Sequence, residues 1–221
     1  MLGIPVGVLL FFTSTSIVVV PGGRPADVLV PGSIALAIIA TALVNLGIAT
    51  AYERSYGVLK RLGGSPLGRT GLFAAKVGVI GLIVLVQVVV LLAVAVGVVG
   101  WSAGGVAPPS VPVTAIAIVL GTAAFAGLGL LLAGTLRAEG TLAIANGLFL
   151  AAMLLGGVIL PVSHLAEPLA AVAGILPAAA LSEMLAIGLG TVAGDATRPF
   201  AVLVVWAVAT GLLTLRTFRW E

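Results

Sequence analysis

The residues able to do chemistry in this chain are few, and most are crowded into one stretch. Between Tyr52 and Lys76 the sequence reads YERSYGVLKRLGGSPLGRTGLFAAK and holds five of the ten Lys and Arg residues: Arg54, Lys60, Arg61, Arg69 and Lys76. Cations at this spacing bind acidic groups on a partner; without a nucleophile or a base among them they do not form a catalytic set. The other strongly polar side chains inside apolar sequence are Asn45, Gln87 and Asn146, which mark either hydrogen bonds between helices or a substrate path. His164 is the single histidine and stands three residues before Glu167. With no HExxH and no cysteine nearby it lacks the further ligands a metal needs, and its expected role is to hydrogen-bond the turn that follows Pro161. Cysteine is absent, which excludes disulfides, thiolate metal sites and cysteine nucleophiles. No GxxxxGK[ST] occurs, so ATP, if used, is handled by another polypeptide.

The elements that must position these residues are set by composition. Apolar residues make up 61% of the 221 and charged residues only 8%, against about a quarter charged in a soluble domain. Mean hydropathy is +1.33. Such a chain lives in lipid. At roughly 20 residues per crossing, it has room for six or seven spans and for no soluble catalytic or nucleotide-binding domain. The apolar runs predict spans at about 2–20, 31–51, 72–99, 112–134, 142–160 and 199–215, in a single all-α transmembrane domain over 1–221. Between the last two lies 161–198, broken by Pro161, Pro168 and Pro177. Its pieces, about 165–175 and 178–190, are too short to cross alone and predict a re-entrant outer helix pair. The first run starts at Met1 without a basic leader and ends without an Ala-x-Ala-like cleavage site, so 2–20 is expected to be a retained span.

Charge sets the expected orientation. With both termini inside, the inner side carries Arg54, Lys60, Arg61, Arg69, Lys76, Arg137, Arg216 and Arg219, and the outer side only Arg24 and Arg198. Eight against two is the positive-inside bias; it also accounts for the net charge of +3 without nucleic acid. Trp101 is expected to anchor at the outer interface and Trp220 at the inner one.

A helix from Ala51 to Leu62 would align Tyr52, Tyr56, Leu59 and Leu62 or Gly63 on one stripe, with Arg54 and Arg61 on another face. Gly63-Gly64 then makes a corner, and Ser65-Pro66 starts the next helix as N-cap and first residue. The positive-inside rule by itself explains the charges but neither the stripe nor the ordered break.

This segment resembles the cytosolic part of permeases of the type-2 ABC exporter family. Glu53-Arg54, Gly57-Val58-Leu59, Ser65-Pro66-Leu67, Arg69 and Lys76 occupy the places of that family's acidic-basic pair, Gly-x-Leu, Ser/Thr-Pro-Leu-x-Arg and lysine. A second stretch, Phe125 to Pro177, is similar to the family's fourth and fifth spans, their short charged turn, the Gly-Gly-x-x-x-Pro exit and the outer helices. The resemblance covers about 50–217 and departs from the family in having no amphipathic helix ahead of the first span. It implies six spans, a cytosolic coupling segment over 52–70, and a complex with a separate ABC ATPase and a second permease chain. ATP and Mg would sit on the ATPase, and this chain would carry no cofactor. It also implies an ATPase-coupling set of Tyr52, Glu53, Arg54, Tyr56, Gly57, Leu59, Lys60, Arg61, Pro66 and Arg69, with Arg137 and Glu139 as a smaller contact. The implied location is a bacterial cytoplasmic membrane.

Two other classes compete. An intramembrane protease or lipid transferase needs ionisable or nucleophilic groups at membrane depth, and the spans hold no Asp, Glu, His or Cys there. A non-transporting scaffold fits the composition equally well. As to cargo, aromatics are only 5% of the residues and the spans lack charge. Such a path suits a lipophilic drug-, antibiotic- or lipid-like molecule better than a sugar polymer, which needs aromatic faces.

Overall fold

The computed structural model of the chain describes residues 2–15, 23–58, 68–157 and 167–218, without the side chains at 68–70, 72–73 and 170. In chain order the helices are α1 (Gly3–Thr15), α2 (Pro25–Ile39), a π-helical segment (Ala40–Asn45), α3 (Leu46–Ser55), α4 (Gly68–Gly97), α5 (Val111–Thr135), α6 (Ala138–Leu155), α7 (Glu167–Ala173), α8 (Pro177–Gly188) and α9 (Thr197–Thr217). No strand occurs among the described residues. The protein is a multi-pass, all-α membrane protein.

Among the described residues five helices are long and apolar enough to cross a membrane: Pro25–Ser55, Ala74–Gly97, Val111–Thr135, Ala138–Leu155 and Thr197–Thr217. The pair α7–α8, bent by 83°, would make a sixth if it counts as one span. The run expected to form a first span at 2–20 is helical over α1, whose 13 residues fall short of the roughly 20 that cross a bilayer; residues 16–20 lie outside the described part. The second span is longer than its apolar run. It starts at Pro25 rather than at Pro31, because Pro25 suits a first helical turn and Asp27 caps it, its carboxylate accepting the Arg24 N–H at 3.3 Å. Pro31 then lies within the helix and is buried, where surrounding protein compensates for the missing donor.

The core is organised around α5. Its small residues let three elements approach closely, α8, the second span, and α9 with its cap Phe218. A Cβ at Gly121 would lie 2.6 Å from Leu181 of α8, one at Gly127 2.4 Å from Thr210 of α9, one at Gly134 2.4 Å from Phe218, and one at Gly129 2.8 Å from the Leu43 carbonyl of the second span. The α5–α9 contact is also hydrogen-bonded: Thr210 donates to Ala124 O at 3.2 Å and Thr214 to Gly127 O at 2.9 Å. Interhelical bonds of this kind contribute about 0.6–1.7 kcal/mol in a membrane. Thr214→Val is therefore expected to destabilise the chain by that modest amount in a denaturant titration of the reconstituted protein, with the helix content intact.

One end of the helix assembly is closed by side chain and backbone together. Trp101 is 3% exposed and its indole N–H donates to Asp27 Oδ1 at 2.9 Å. The expected lipid-facing anchor is thus a buried clamp between the start of α2 and the chain after α4. Beyond it the 104–110 loop is stitched to the end of α8: Gly104 N–H donates to Leu189 O, Val106 and Ala107 N–H to Gly190 O, and Ser110 N–H to Gly188 O, at 2.7 to 3.1 Å. Gly190 has φ +70, and a Cβ there would meet Ala107 O at 2.1 Å, so only glycine fits. Helix α8 itself has nine of its 12 residues buried. Before α9, Asp195 accepts the hydroxyl and the backbone N–H of Thr197, 2.6 and 3.0 Å away. The hydroxyl first and the amide second hold its carboxyl below the usual aspartate value.

Candidate coupling site at the C-terminal end of the second span

The second span ends in Tyr52, Glu53, Arg54 and Ser55, the last turn of α3. Successive helical residues point about 100° apart, so Glu53 and Arg54 reach different neighbours. Lys76 of α4 pairs with Glu53, the two side chains being 15% and 35% exposed. The Arg54 guanidinium donates to Leu136 O. Leu136 is the residue that ends α5, with extended backbone, and Arg137 precedes α6. Arg54 thus supplies a cation and a donor where the last carbonyls of α5 lack partners and the helix dipole is negative. The turn it grips is tight in its own right: Thr141 N–H donates to Arg137 O at 2.8 Å and the Thr141 hydroxyl to Leu132 O at 3.3 Å. Tyr52 is half-buried against Ala51, Ala133 and Ala138. Two consecutive charged residues therefore tie the end of the second span to the third span on one side and to the α5–α6 turn on the other.

The helix expected over 51–62 is interrupted. Helix α3 stops at Ser55, the Tyr56 and Gly57 N–H groups close the turn onto Tyr52 O and Arg54 O at 2.9 and 3.0 Å, and Gly57 has φ +71. Glycine adopts this left-handed conformation at little cost and is the usual residue after a helix C-terminus. The 3.6-residue pattern of the sequence runs straight across Gly57; periodicity alone does not reveal a break. Tyr56 stacks tilted on Tyr52 with centroids 6.1 Å apart and is 75% exposed. Leu59, Lys60, Arg61 and Pro66 lie outside the described residues, and of Arg69 only the backbone, in the first turn of α4, is described. Arg137 and Glu139 are exposed beside the turn that Arg54 holds.

The three polar residues within the spans are not brought together. Gln87 is buried and accepts the Thr41 hydroxyl at 2.9 Å. Asn45 is half-buried in the π segment, and Asn146 is exposed on α6, its amide donating to Leu142 O at 2.8 Å. In the segment expected to lie outside, Pro161 and His164 lie beyond the described residues, Glu167 is exposed in the first turn of α7, and Pro177 is buried at the first position of α8. Sequence reasoning did not find Thr41, Asp27 or the Leu136 carbonyl as partners. A threonine in an apolar run and a backbone carbonyl carry no pattern, and Asp27 stood out only as a charge.

The family model described as "ABC-2 family transporter protein" matches residues 25–216. The chain belongs to the ABC-2 transporter family, as one of its membrane-spanning permease subunits, which have no ATPase of their own. No curated protein and no solved structure matches it.

Proposed function

We propose that this chain is the permease subunit of an ABC exporter, working as a pair with a second permease chain and coupled through 52–70 to cytosolic ATPases that bind the ATP and Mg. The observation that carries the reading is the double tie at the end of the second span, Glu53 to Lys76 and Arg54 to Leu136 O. A force applied to the segment beginning at Tyr56 enters the third span and the α5–α6 turn at once, which is what a coupling element has to do. Exposed Tyr56, Arg137 and Glu139 are the described groups offered to the ATPase. Asn146, with the exposed Leu142, Ile144 and Leu150 of the same helix, supplies an uncharged surface. Facing its counterpart on the second chain, that surface suits a lipophilic drug-, antibiotic- or lipid-like cargo.

The membrane is a bacterial cytoplasmic membrane, with both termini inside, the α7–α8 pair entering from the outside, and membrane lipid covering the remaining apolar faces. Orientation has a direct check, since the chain has no cysteine of its own. Single cysteines at Ser102 and Thr197, both exposed, are expected to react with a membrane-impermeant maleimide in intact cells, and one at Ser55 only after lysis. Labelling of Ser55 in intact cells would reverse the orientation and remove the cytosolic coupling segment. The functional test is reconstitution with a cytosolic ABC ATPase from the same organism. The expected result is co-purification and ATP hydrolysis that depends on the ATPase, with none from the permease alone. Hydrolysis by the permease free of other protein would contradict the reading.

A further inference from the structure

Halfway along the second span the backbone leaves α-helical geometry. Ala40–Asn45 is π-helical, and Leu46 N–H donates to Thr41 O, five residues back. Such a segment takes up one residue more than an α-helix of the same length and is uncommon outside functional positions. Here the surroundings hold it on two sides. The Thr41 hydroxyl and the Gln87 amide oxygen of α4 are bonded to each other in a buried position. The Ala42 and Leu43 carbonyls lie against Gly129 of α5, where a Cβ would be 2.9 and 2.8 Å from them. One turn further, a Cβ at Gly47 would lie 3.0 Å from Gly129 O. The second span therefore crosses α5 backbone on backbone, with no interlocked side chains at the crossing.

The two halves on either side are packed differently. In α2, 12 of 15 residues are buried; in α3, four of 10 are. The sparsely packed half is the one that carries Glu53 and Arg54 at its end.

We propose that Ala40–Asn45 is the pivot on which the inner half of the second span turns during transport, and that Thr41 and Gln87 are positioning residues that set its resting angle. The proposal rests on the reading of the chain as a coupled permease and adds the place where the moving half is divided from the fixed one. The outer half is locked by burial and by the Asp27–Trp101 clamp. The inner half turns about a crossing made of backbone, which offers no ridge to climb. The π segment provides the slack, because its ladder can rearrange without unfolding either flank. The Thr41–Gln87 bond gives the resting state a defined angle, since a buried amide that loses its partner is strongly disfavoured.

The test uses the full chain in lipid nanodiscs. Deleting Ala40 removes the extra residue and restores an unbroken α-helix, while the faces before and after the segment keep their register. In the wild-type chain the amides of 42–47 are expected to exchange with deuterium roughly tenfold or more faster than those of 32–38, and the deletion is expected to erase the difference. Thr41→Val and Gln87→Leu should raise exchange at 42–47, and Thr41→Ser, which keeps the hydroxyl, should not. Equal protection of 42–47 and 32–38 in the wild-type chain overturns the proposal. In the complex with its ATPase, nitroxides at Ser55 and Ala143 should report a distance that changes on adding ATP in the wild type and stays fixed in the deletion chain. An ATP-dependent change of the same size in both overturns the pivot. Failure of any ATPase to bind counts against the permease reading instead, and the exchange experiment then still decides the pivot.

Discussion

An Arg54→Glu chain is expected to reach the membrane at the wild-type level and to lose both stable ATPase association and stimulated hydrolysis. The guanidinium is half-buried and donates to Leu136 O at the end of α5. A hydrogen bond from a charged donor contributes about 1.5–3 kcal/mol. A carboxylate in its place meets the negative end of the α5 dipole, lies next to Glu53, and leaves the Leu136 carbonyl without this donor. Insertion is unaffected because the apolar spans are unchanged. Arg54→Lys separates charge from geometry: a lysine keeps the cation but not the planar fork, so partial coupling is expected. Glu53→Gln is the contrasting variant. Its ion pair with Lys76 is about a third exposed on the glutamate side, and such pairs contribute only about 0.2–1 kcal/mol. Co-purification with the ATPase and its hydrolysis rate, measured at equal membrane abundance, rank the three. If Arg54→Glu retains full association and stimulation, the tie to the α5–α6 turn does not transmit force.

Gly129→Val is expected to prevent the native fold altogether. The glycine's would-be Cβ lies 2.8 and 2.9 Å from the Leu43 and Ala42 carbonyl oxygens and 3.3 Å from Leu43 Cα. These are backbone atoms of a buried span, which cannot rotate aside as a side chain would. Overpacking ordinarily costs about 1–3 kcal/mol, occasionally more, and here relief requires α5 and the second span to separate along their crossing. The expected observation is a chain that is synthesised and inserted but aggregates on detergent extraction, giving no monodisperse peak in size-exclusion chromatography. Gly147→Val in α6, where a Cβ would meet nothing within 4 Å, is the matched control and should behave as wild type. A monodisperse, normally stable Gly129→Val protein would mean that the crossing is looser than the geometry described here.

The sequence by itself determined the class of this protein and the placement of most of its spans, because both follow from local composition. An uncharged run of about 20 residues has no stable alternative to a helix in lipid, so the third, fourth and sixth spans fall close to their apolar runs. The short pieces around Pro168 and Pro177 were legible for a similar reason: proline punctuates wherever it stands, and α7 and α8 lie where the prolines divide the chain. The family was legible through the order and spacing of the motifs at 53–76, because charges beside a span are common and only their order with the Gly-Gly and Ser-Pro break carries information.

What only the tertiary structure decided is which neighbours those residues have. Arg54 reads as a basic residue waiting for a partner outside the chain, yet its guanidinium is held by a carbonyl 82 residues away, and a carbonyl has no signature in sequence. Trp101 reads as an interfacial anchor; Asp27, equally remote, draws it inside. Gly57 lies in a stretch with unbroken helical period, and only its left-handed φ of +71 divides it. The π segment is invisible for a related reason. One extra residue in a predominantly apolar span leaves little trace in the pattern, because apolar residues lie on all of its faces, and it is the packing of Gly129 and the Thr41–Gln87 bond that give the irregular turn its place.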